Sequence, residues 1–432
     1  MLGLAGKECV VGPAEAALKR RFDAVVMLTA SDWFTEMRSN RYHYATRFAK
    51  HLPVIFVQPD LNDSRFQYQD SGKEGIVVLH VSQHWGWKQA KLLVRALECR
   101  QIVRPLRWIY HYGYIDFIAL SHASCTIFHA TEDYFSPELC VTGPDQNKLK
   151  DVLTLTDLLV AVSDGVLQSY RERGNYEGDA FVIGNGCDFK FWAPKPEEIN
   201  GVLSEASYTP VAFYQGGIHR KIDFDLLHNI VRGMPDWEFW FCGVVYPNLP
   251  EWYSLCQYKN VKYYGKLSPE EVRTLTSRAT VGLIPFVQNE WIVQRAFPIK
   301  AFEYVACGLP VVSVPINALR AYSAVIKFAE TADQFIGVMR SEAPTRFNPE
   351  LIGYRVSIAK PHDYDLKFDS LLCANSFQPD LKCGARKALQ SLYYRSRILL
   401  RSVMEHARNE MSLMKHAIKS FWNRLHSSNG NL

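Results

Sequence analysis

The chain has 432 residues, of which 48% are hydrophobic and 22% charged. It is too long for one ordinary core and too apolar to be disordered, so it suits two domains with an appendage. A formal net charge of only +5 carries no nucleic-acid signature in its total, so the basic residues matter by where they cluster.

Ten cysteines occur without a CxxC pair or a zinc-type spacing. Cys99, Cys125, Cys187, Cys242 and Cys307 sit in or beside apolar stretches and are expected as reduced core thiols of a cytosolic protein. The opening residues lack an apolar core with a cleavage site, and no run of 18 apolar residues occurs. Neither a signal peptide nor a membrane span is expected.

In chain order, AVVMLT (24–29), PVIFV (53–57), IVVLHV (76–81), CTIFHA (125–130), LLVAVS (158–163) and AFVIGNG (180–186) read as strands. A second set follows: PVAFYQG (210–216), WEFWFCG (237–243), VKYYG (261–265), TVGLIPF (280–286) and LPVVSV (309–314). Near-continuous apolar strands separated by helical patterns predict buried parallel sheets in an α/β protein. Between the sets, WAPKPEEINGVLSEASYTP is rich in Pro and polar residues and reads as a linker. The expected organisation is one Rossmann-like domain over 20–192, a linker over 193–209, and a second Rossmann-like domain over 210–345. A return segment over 346–383 and a basic amphipathic helix over 384–432 complete it. The two domains would face one another across a cleft lined by the carboxyl ends of their strands. No GxxxxGK[ST] loop occurs and no GxGxxG follows the first strand, which disfavours a P-loop NTPase and a dinucleotide dehydrogenase.

The most informative stretch is PIKAFEYVACGLPVVS (298–313). Pro298 suits the opening of a helix, where its missing N–H costs nothing, and Gly308 suits a left-handed stop after about Cys307. The free N–H groups of the first turn make an anion site. Lys300 in that turn can neutralise a phosphate. Glu303, three residues on and on the same face, can accept from two vicinal ribose hydroxyls. A diphosphate joined to a ribose is the shared part of nucleotide sugars. The same spacing also suits an exposed i,i+3 ion pair.

These residues resemble the GT-B glycosyltransferases. PIKAFEYVACGLPVVS is similar to their donor-binding helix and following strand, YQGGIHRKIDFDLL to the first strand–turn–helix of their C-terminal domain, and VKYYGKLSPEEVRTLTSRATVGLIPF to their base-binding loop, helix and strand. The likeness covers roughly residues 20–345 and is strongest in the second half. It implies sugar transfer from a nucleotide sugar, with Glu303 on the ribose, Lys300 with Arg220 or Lys221 on the diphosphate beside Gly217, and the backbone around Gly265 and Leu267 reading the base. Retaining members of family 4 carry a Glu eight residues before the ribose Glu, where this chain has Arg295. The pattern is closer to the subgroup that includes teichuronic acid and xanthan glucuronosyltransferases, in which an inverting reaction is expected. There Arg295 could pair with a uronate carboxylate, contact the second phosphate, or cap a loop.

On the acceptor side, TIFHATEDYFS places Glu132 and Asp133 just past a strand. An inverting transferase needs a base for the attacking hydroxyl. Adjacent residues on an extended segment point opposite ways, and by resemblance Glu132 is favoured; the alternative is that both carboxylates open a helix. In SDWFTEMRSNRYHYATRFAK (31–50), Asp32 and Trp33 fall in the loop after the first strand, and Asn40 is the expected cap of the next helix. Trp33 could stack on a sugar, and Arg41 and His43 could touch acceptor or phosphate. Asp188 in GNGCD is a further cleft candidate, and Ser163 with Asp164 caps a helix.

The tail places Arg397, Arg401, Arg408, Lys415 and Lys419 on one helical face and Leu389, Leu392, Leu399, Val403, Ala407, Met414 and Phe421 on another. It reads as a helix on an anionic membrane or an acidic partner, or as a packed terminal helix or coiled coil. WGWKQAKLLVRALECRQIVRPLR (85–107) gives a second basic segment, with Lys88, Lys91 and Arg95 in one stripe and Arg100, Arg104 and Arg107 in another, flanked by Trp85 and Trp87. The expected partners are thus a UDP-sugar donor, a glycan or lipid-linked acceptor, and an anionic membrane surface met through 384–425 and 85–107 on its cytoplasmic face. Nucleic acid is not among them. No metal or other cofactor is expected, because Lys, Arg and a helix N-terminus would serve the diphosphate. The alternatives are a GT-B nucleotide-sugar epimerase and a catalytically degenerate glycan-binding scaffold.

Overall fold

The structure is a computed structural model that describes residues 11–36, 38–60, 66–82, 86–121, 125–195, 209–373, 377 and 384–428. The linker residues 196–208 and Trp85 lie outside the described residues, as do the side chains of Lys419 and Phe421.

Two sheets organise the chain. The first contains β1 (Ala24–Leu28), β2 (Val54–Asp60), β3 (Gln67–Asp70), β4 (Ile76–Ser82), β5 (Pro105–Ile109), β6 (Cys125–Ala130), β7 (Leu158–Ala161) and β8 (Asp179–Val182). Their order is β3-β4-β2-β1-β5-β6-β7-β8, parallel throughout except for β3 against β4. The second contains β9 (Val211–Gln215), β10 (Glu238–Cys242), β11 (Val261–Tyr263), β12 (Val281–Ile284), β13 (Val311–Ser313) and β14 (Ile326–Phe328), in the order β11-β10-β9-β12-β13-β14. The central strands are buried along their whole length, as expected where helices cover both faces of a parallel sheet. Strand order reverses between β1 and β5 and between β9 and β12. Crevices open at such points, and the chain beyond β1 and β9 forms opposing walls of one cleft.

Two local expectations are corrected. The helix begun at Trp87 ends at Glu98, and 105–109 is β5, an inner strand. Arg107 is therefore buried rather than part of a basic stripe. Its guanidinium donates to Thr126 Oγ1 at 3.1 and 2.8 Å and to Ser121 Oγ at 2.7 Å. Arg104 is bonded to Asp23 at 2.7 Å, and Arg100 lies over the Tyr68 ring. Helix Asn40–Phe48 is capped by Ser39, whose side chain accepts from Arg41 N–H, so Asn40 stands one place inside. Cys125, Cys187, Cys242 and Cys307 are buried, whereas Cys99, just beyond the helix end, is exposed. Cys373 is disulfide-bonded.

The C-terminal part returns to the first domain. Tyr364, Phe368, Leu371 and Leu372 of helix Tyr364–Cys373 complete the core on one face of the first sheet. The tail is one helix, Gly384–Ser428. Its inner face docks through Lys387 to Asp157 (2.5 Å), Arg395 to the Ala119 carbonyl (2.8 Å), and buried Tyr394 and Ile398. Leu389, Leu399, Leu400, Val403, Met411 and Met414 are all more than half exposed.

Candidate active site

The cleft is about 970 Å³ and is lined by both domains. On the second-domain wall, β9 ends at Gln215 and turns through Gly216 at φ +118°. A Cβ on Gly243 would lie 2.0 Å from the Gly216 carbonyl oxygen, so the backbones leaving β9 and β10 touch. Only glycine allows that approach. This lets the turn that carries Gly217, His219 and Lys221 line the cleft.

Facing that turn is helix Ile299–Ala306, whose N-cap Pro298 offers no side-chain cap. Lys300 Nζ sits 3.7 Å from the Tyr214 ring centroid and 5.0 Å from that of Phe286. Glu303, only 8% exposed, accepts a hydrogen bond from Gln215 Nε2. Burial pushes Lys300 down to about 7 and Glu303 up to about 8, the charge of each only partly offsetting the other's desolvation. Burial likewise lowers His219 to about 3, which leaves it a neutral ring. An anion at the helix start would restore the Lys300 charge. The helix stops before Gly308, which takes φ +70°.

The first-domain wall comes from the loops after β1 and β6. Asp32 is spent locally: Oδ1 accepts from Phe34 and Thr35 N–H and Oδ2 from Gln58. Glu132 and Asp133 follow β6 in a loop rather than opening a helix. The Glu132 side chain is 35% exposed and meets Lys221 Nζ at 2.5 Å. Asp133 is wholly buried; it accepts from Ser169 Oγ at 2.7 Å and pairs with Arg295 Nε at 2.9 Å. Consecutive carboxylates of one domain are thus each met by a cation of the other. Arg295 also holds Glu290 at 2.6 Å, and its carbonyl accepts from Ser163 Oγ at 2.8 Å.

Of the expected site residues, Asp32, His43, Glu132, Asp133, Gly217, Lys221, Leu267, Arg295, Lys300 and Glu303 line the cleft. Arg220, Gly265, Trp33 and Arg41 are not in that lining. Arg220 is exposed with Cys140 Sγ at 3.9 Å. The Gly265 carbonyl accepts from Gly243 N–H. Trp33 packs on Tyr42 and Phe56, and its indole donates to the Ser71 carbonyl. Arg41 bonds Glu36 at 2.7 Å. Asp188 lines the cleft and lies 3.7 Å from Arg47. Among the lining residues not expected from the sequence are Gln215, His219 and Tyr246. Gln215 and His219 fall inside or beside the glycine turn after β9, which was the available signal; Tyr246 carried none. Among the described residues no cluster of three His, Cys, Asp or Glu is placed to hold a metal ion. No described helix is long and apolar enough to cross a membrane.

Two facing Rossmann-like domains, each a parallel sheet whose strand order reverses at the cleft, define the GT-B fold. Residues 210–334 match the family described as Glycosyl transferases group 1. More particularly, the chain is similar to the teichuronic acid biosynthesis glycosyltransferase TuaH of Bacillus subtilis, 28% identical over 132 residues. That match covers 30% of this chain and about a third (33%) of the relative. Solved structures share the fold at low identity. Anabaena HepE in complex with UDP and glucose has a TM-score of 0.58 and 14% identity over 82% of this chain and 99% of its own. Sucrose-phosphate synthase from Thermosynechococcus elongatus has 0.57 and 14% over 88% and 100%. WaaG, a glycosyltransferase of lipopolysaccharide biosynthesis, has 0.56 and 12% over 80% and 98%.

Proposed function

We propose that the chain transfers a sugar from a UDP-sugar to a hydroxyl of a glycan or lipid-linked acceptor in polysaccharide or glycolipid assembly, with inversion at the anomeric carbon. The observation that carries this reading is the pairing of Lys300 and Glu303 at the start of one uncapped helix, both turned to the cleft and both shifted toward neutrality. Matched against the donor, Glu303 accepts from the ribose hydroxyls. Lys300, Lys221 and the helix N-terminus take the diphosphate and the charge that develops on it as it leaves. Glu132 is the base. It takes the proton of the acceptor hydroxyl while that oxygen bonds the anomeric carbon and the bond to the UDP oxygen breaks. Asp133 serves as the anchor of Arg295. A uronate on the donor would meet Arg295 only by competing with Glu290.

The tail helix supports attachment to an anionic membrane. At about 3.6 residues per turn, Leu389, Leu400, Val403, Met411 and Met414 fall opposite the docked face, with Arg397, Arg401, Arg408 and Lys415 along one flank. The helix also has a direction. It begins beside Asp157, which precedes β7, and reaches Lys91 and Lys88, which follow β4. It therefore climbs to the edge of the sheet from which the cleft opens. A bilayer against its outer stripe would lie beside the acceptor wall.

The test is a thermal-shift titration with UDP, GDP, UDP-glucose and UDP-glucuronate on wild type and Glu303→Ala. UDP and at least one UDP-sugar should raise the wild-type Tm, and Glu303→Ala should lose the shift. A wild-type chain indifferent to every nucleotide at millimolar concentration overturns the reading.

A further inference from the structure

His43 is 1% exposed yet lines the cleft. Its ring stacks on Tyr364, centroids 4.2 Å apart and 13° from parallel, and Arg47 Nη1 lies 3.3 Å from Nδ1. Arg47 is fixed in turn by Asp365 at 3.0 Å and by Asp188 and Asp363 at 3.7 and 3.9 Å. A guanidinium can only donate. Nδ1 must therefore accept, and the ring proton belongs on Nε2. That Nε2 is buried and has no hydrogen-bond partner among the described residues. Burial and the neighbouring Arg47 and Arg38 hold the ring neutral. The result is a fixed, uncharged N–H donor with nothing to donate to, in a wall of the cleft. Buried donors are rarely left in that state without a ligand or ordered water.

The contacts around His43 place it at the nucleotide end. The Tyr364 hydroxyl reaches Asn185 Oδ1 at 3.4 Å, and Asn185 Nδ2 donates to the Phe297 carbonyl at 2.7 Å. Phe297 immediately precedes the helix of Lys300 and Glu303. Arg38 acts on both His43 and Glu303.

We propose that His43 Nε2–H donates a hydrogen bond to an oxygen of the bound nucleoside diphosphate, so that the first domain reads the nucleotide as well as the second. This rests on the cleft being a nucleotide-sugar site. His43→Phe keeps an aromatic ring against Tyr364 and removes the donor; His43→Gln returns an N–H near the place of Nε2. By calorimetry with UDP on the full chain, His43→Phe should bind about tenfold more weakly and His43→Gln should recover most of the loss. In turnover, the donor KM should rise with kcat little changed, because the contact is made equally in the ground and transition states. A wild-type measurement needs no substitution: ¹⁵N shifts of His43 should report a neutral Nε2–H ring, and UDP should move the Nε2 signal. Equal UDP affinity in wild type and His43→Phe overturns the proposal, as does a change confined to acceptor KM. A wild-type chain that binds no UDP overturns the donor-site reading beneath it.

Discussion

Lys300 and Glu303 were legible because three-residue spacing after Pro298 needs only helical geometry. What made them unusual was not. Glu303 is held by Gln215 from another strand, and a Gln at a strand end has no pattern of its own. Arg295 was visible as a departure at its position, but its partners Asp133 and Glu290 emerge only when the two domains meet. The buried pair also sets a pH dependence. Glu303 rises from 4.5 to about 8 on folding, so the folded state holds a proton that the unfolded chain releases, and stability is lost as pH rises across that window. Lys300 falls from 10.5 to about 7, so stability is regained from about pH 7 toward 10.5. The empty chain should be least stable near pH 7–8. Glu303→Gln should be more stable than wild type at pH 8, by roughly 1–3 kcal/mol, and the gap should shrink toward pH 5, as measured by urea unfolding at each pH. The site gives up stability for function.

At the scale of elements, every apolar run read as a strand is one; for the central strands this is because a strand buried on both faces admits little else, while β8 and β11 are partly exposed edge strands. The failures have a common cause. β5 contains Arg107, which partners from β6 and the helix before it make tolerable, and no single-segment pattern announces such partners. β3 and β14 are edge strands, partly solvated and short, with too few apolar positions to stand out. The tail was legible as amphipathic, but which face docks was not: the inner face uses Lys387, Arg395 and Tyr394, and the richest apolar stripe is left outside. That stripe predicts a separable defect. Leu399→Gln with Val403→Gln should leave the Tm within about 1 °C, since both residues are exposed. It should reduce co-sedimentation with phosphatidylglycerol vesicles at least severalfold. Arg401→Gln with Arg408→Gln should reduce binding to those vesicles and not to phosphatidylcholine ones. Binding to both vesicle types unchanged in either variant would remove the tail as the membrane contact.

For the whole molecule, the two domains are joined in the cleft chiefly by polar contacts: Glu132 with Lys221, Asp133 with Arg295, Ser163 with the Arg295 carbonyl, and Lys266 with the Thr35 carbonyl. Polar interfaces of this kind suit reversible domain motion. One contact is unforgiving. A Cβ on Gly165 would lie 2.0 Å from the Gln294 carbonyl oxygen, so helix Asp164–Glu172 rests directly on the turn Trp291–Arg295. Gly165→Val should wedge the domains apart. The expected outcome is a larger radius of gyration by small-angle scattering and at least a tenfold loss in kcat/KM. UDP affinity should fall much less, because most of the donor contacts proposed above lie on the second domain. A variant as compact and as active as wild type would show that closure does not use this contact.

The return of the chain to its first domain also orders its birth. Tyr364, Phe368, Leu371 and Leu372 fill the core beneath β1, β2 and β5, and Tyr394 joins the core on the opposite face. During synthesis, all eight strands of the first sheet are made before any of these side chains exists. The second domain, whose core draws no residue beyond Ala359, can finish first although it is made later. The amino-terminal half must wait with part of its apolar surface uncovered until residues 364–394 leave the ribosome. A nascent chain of this protein therefore invites chaperones for as long as the second domain takes to be made.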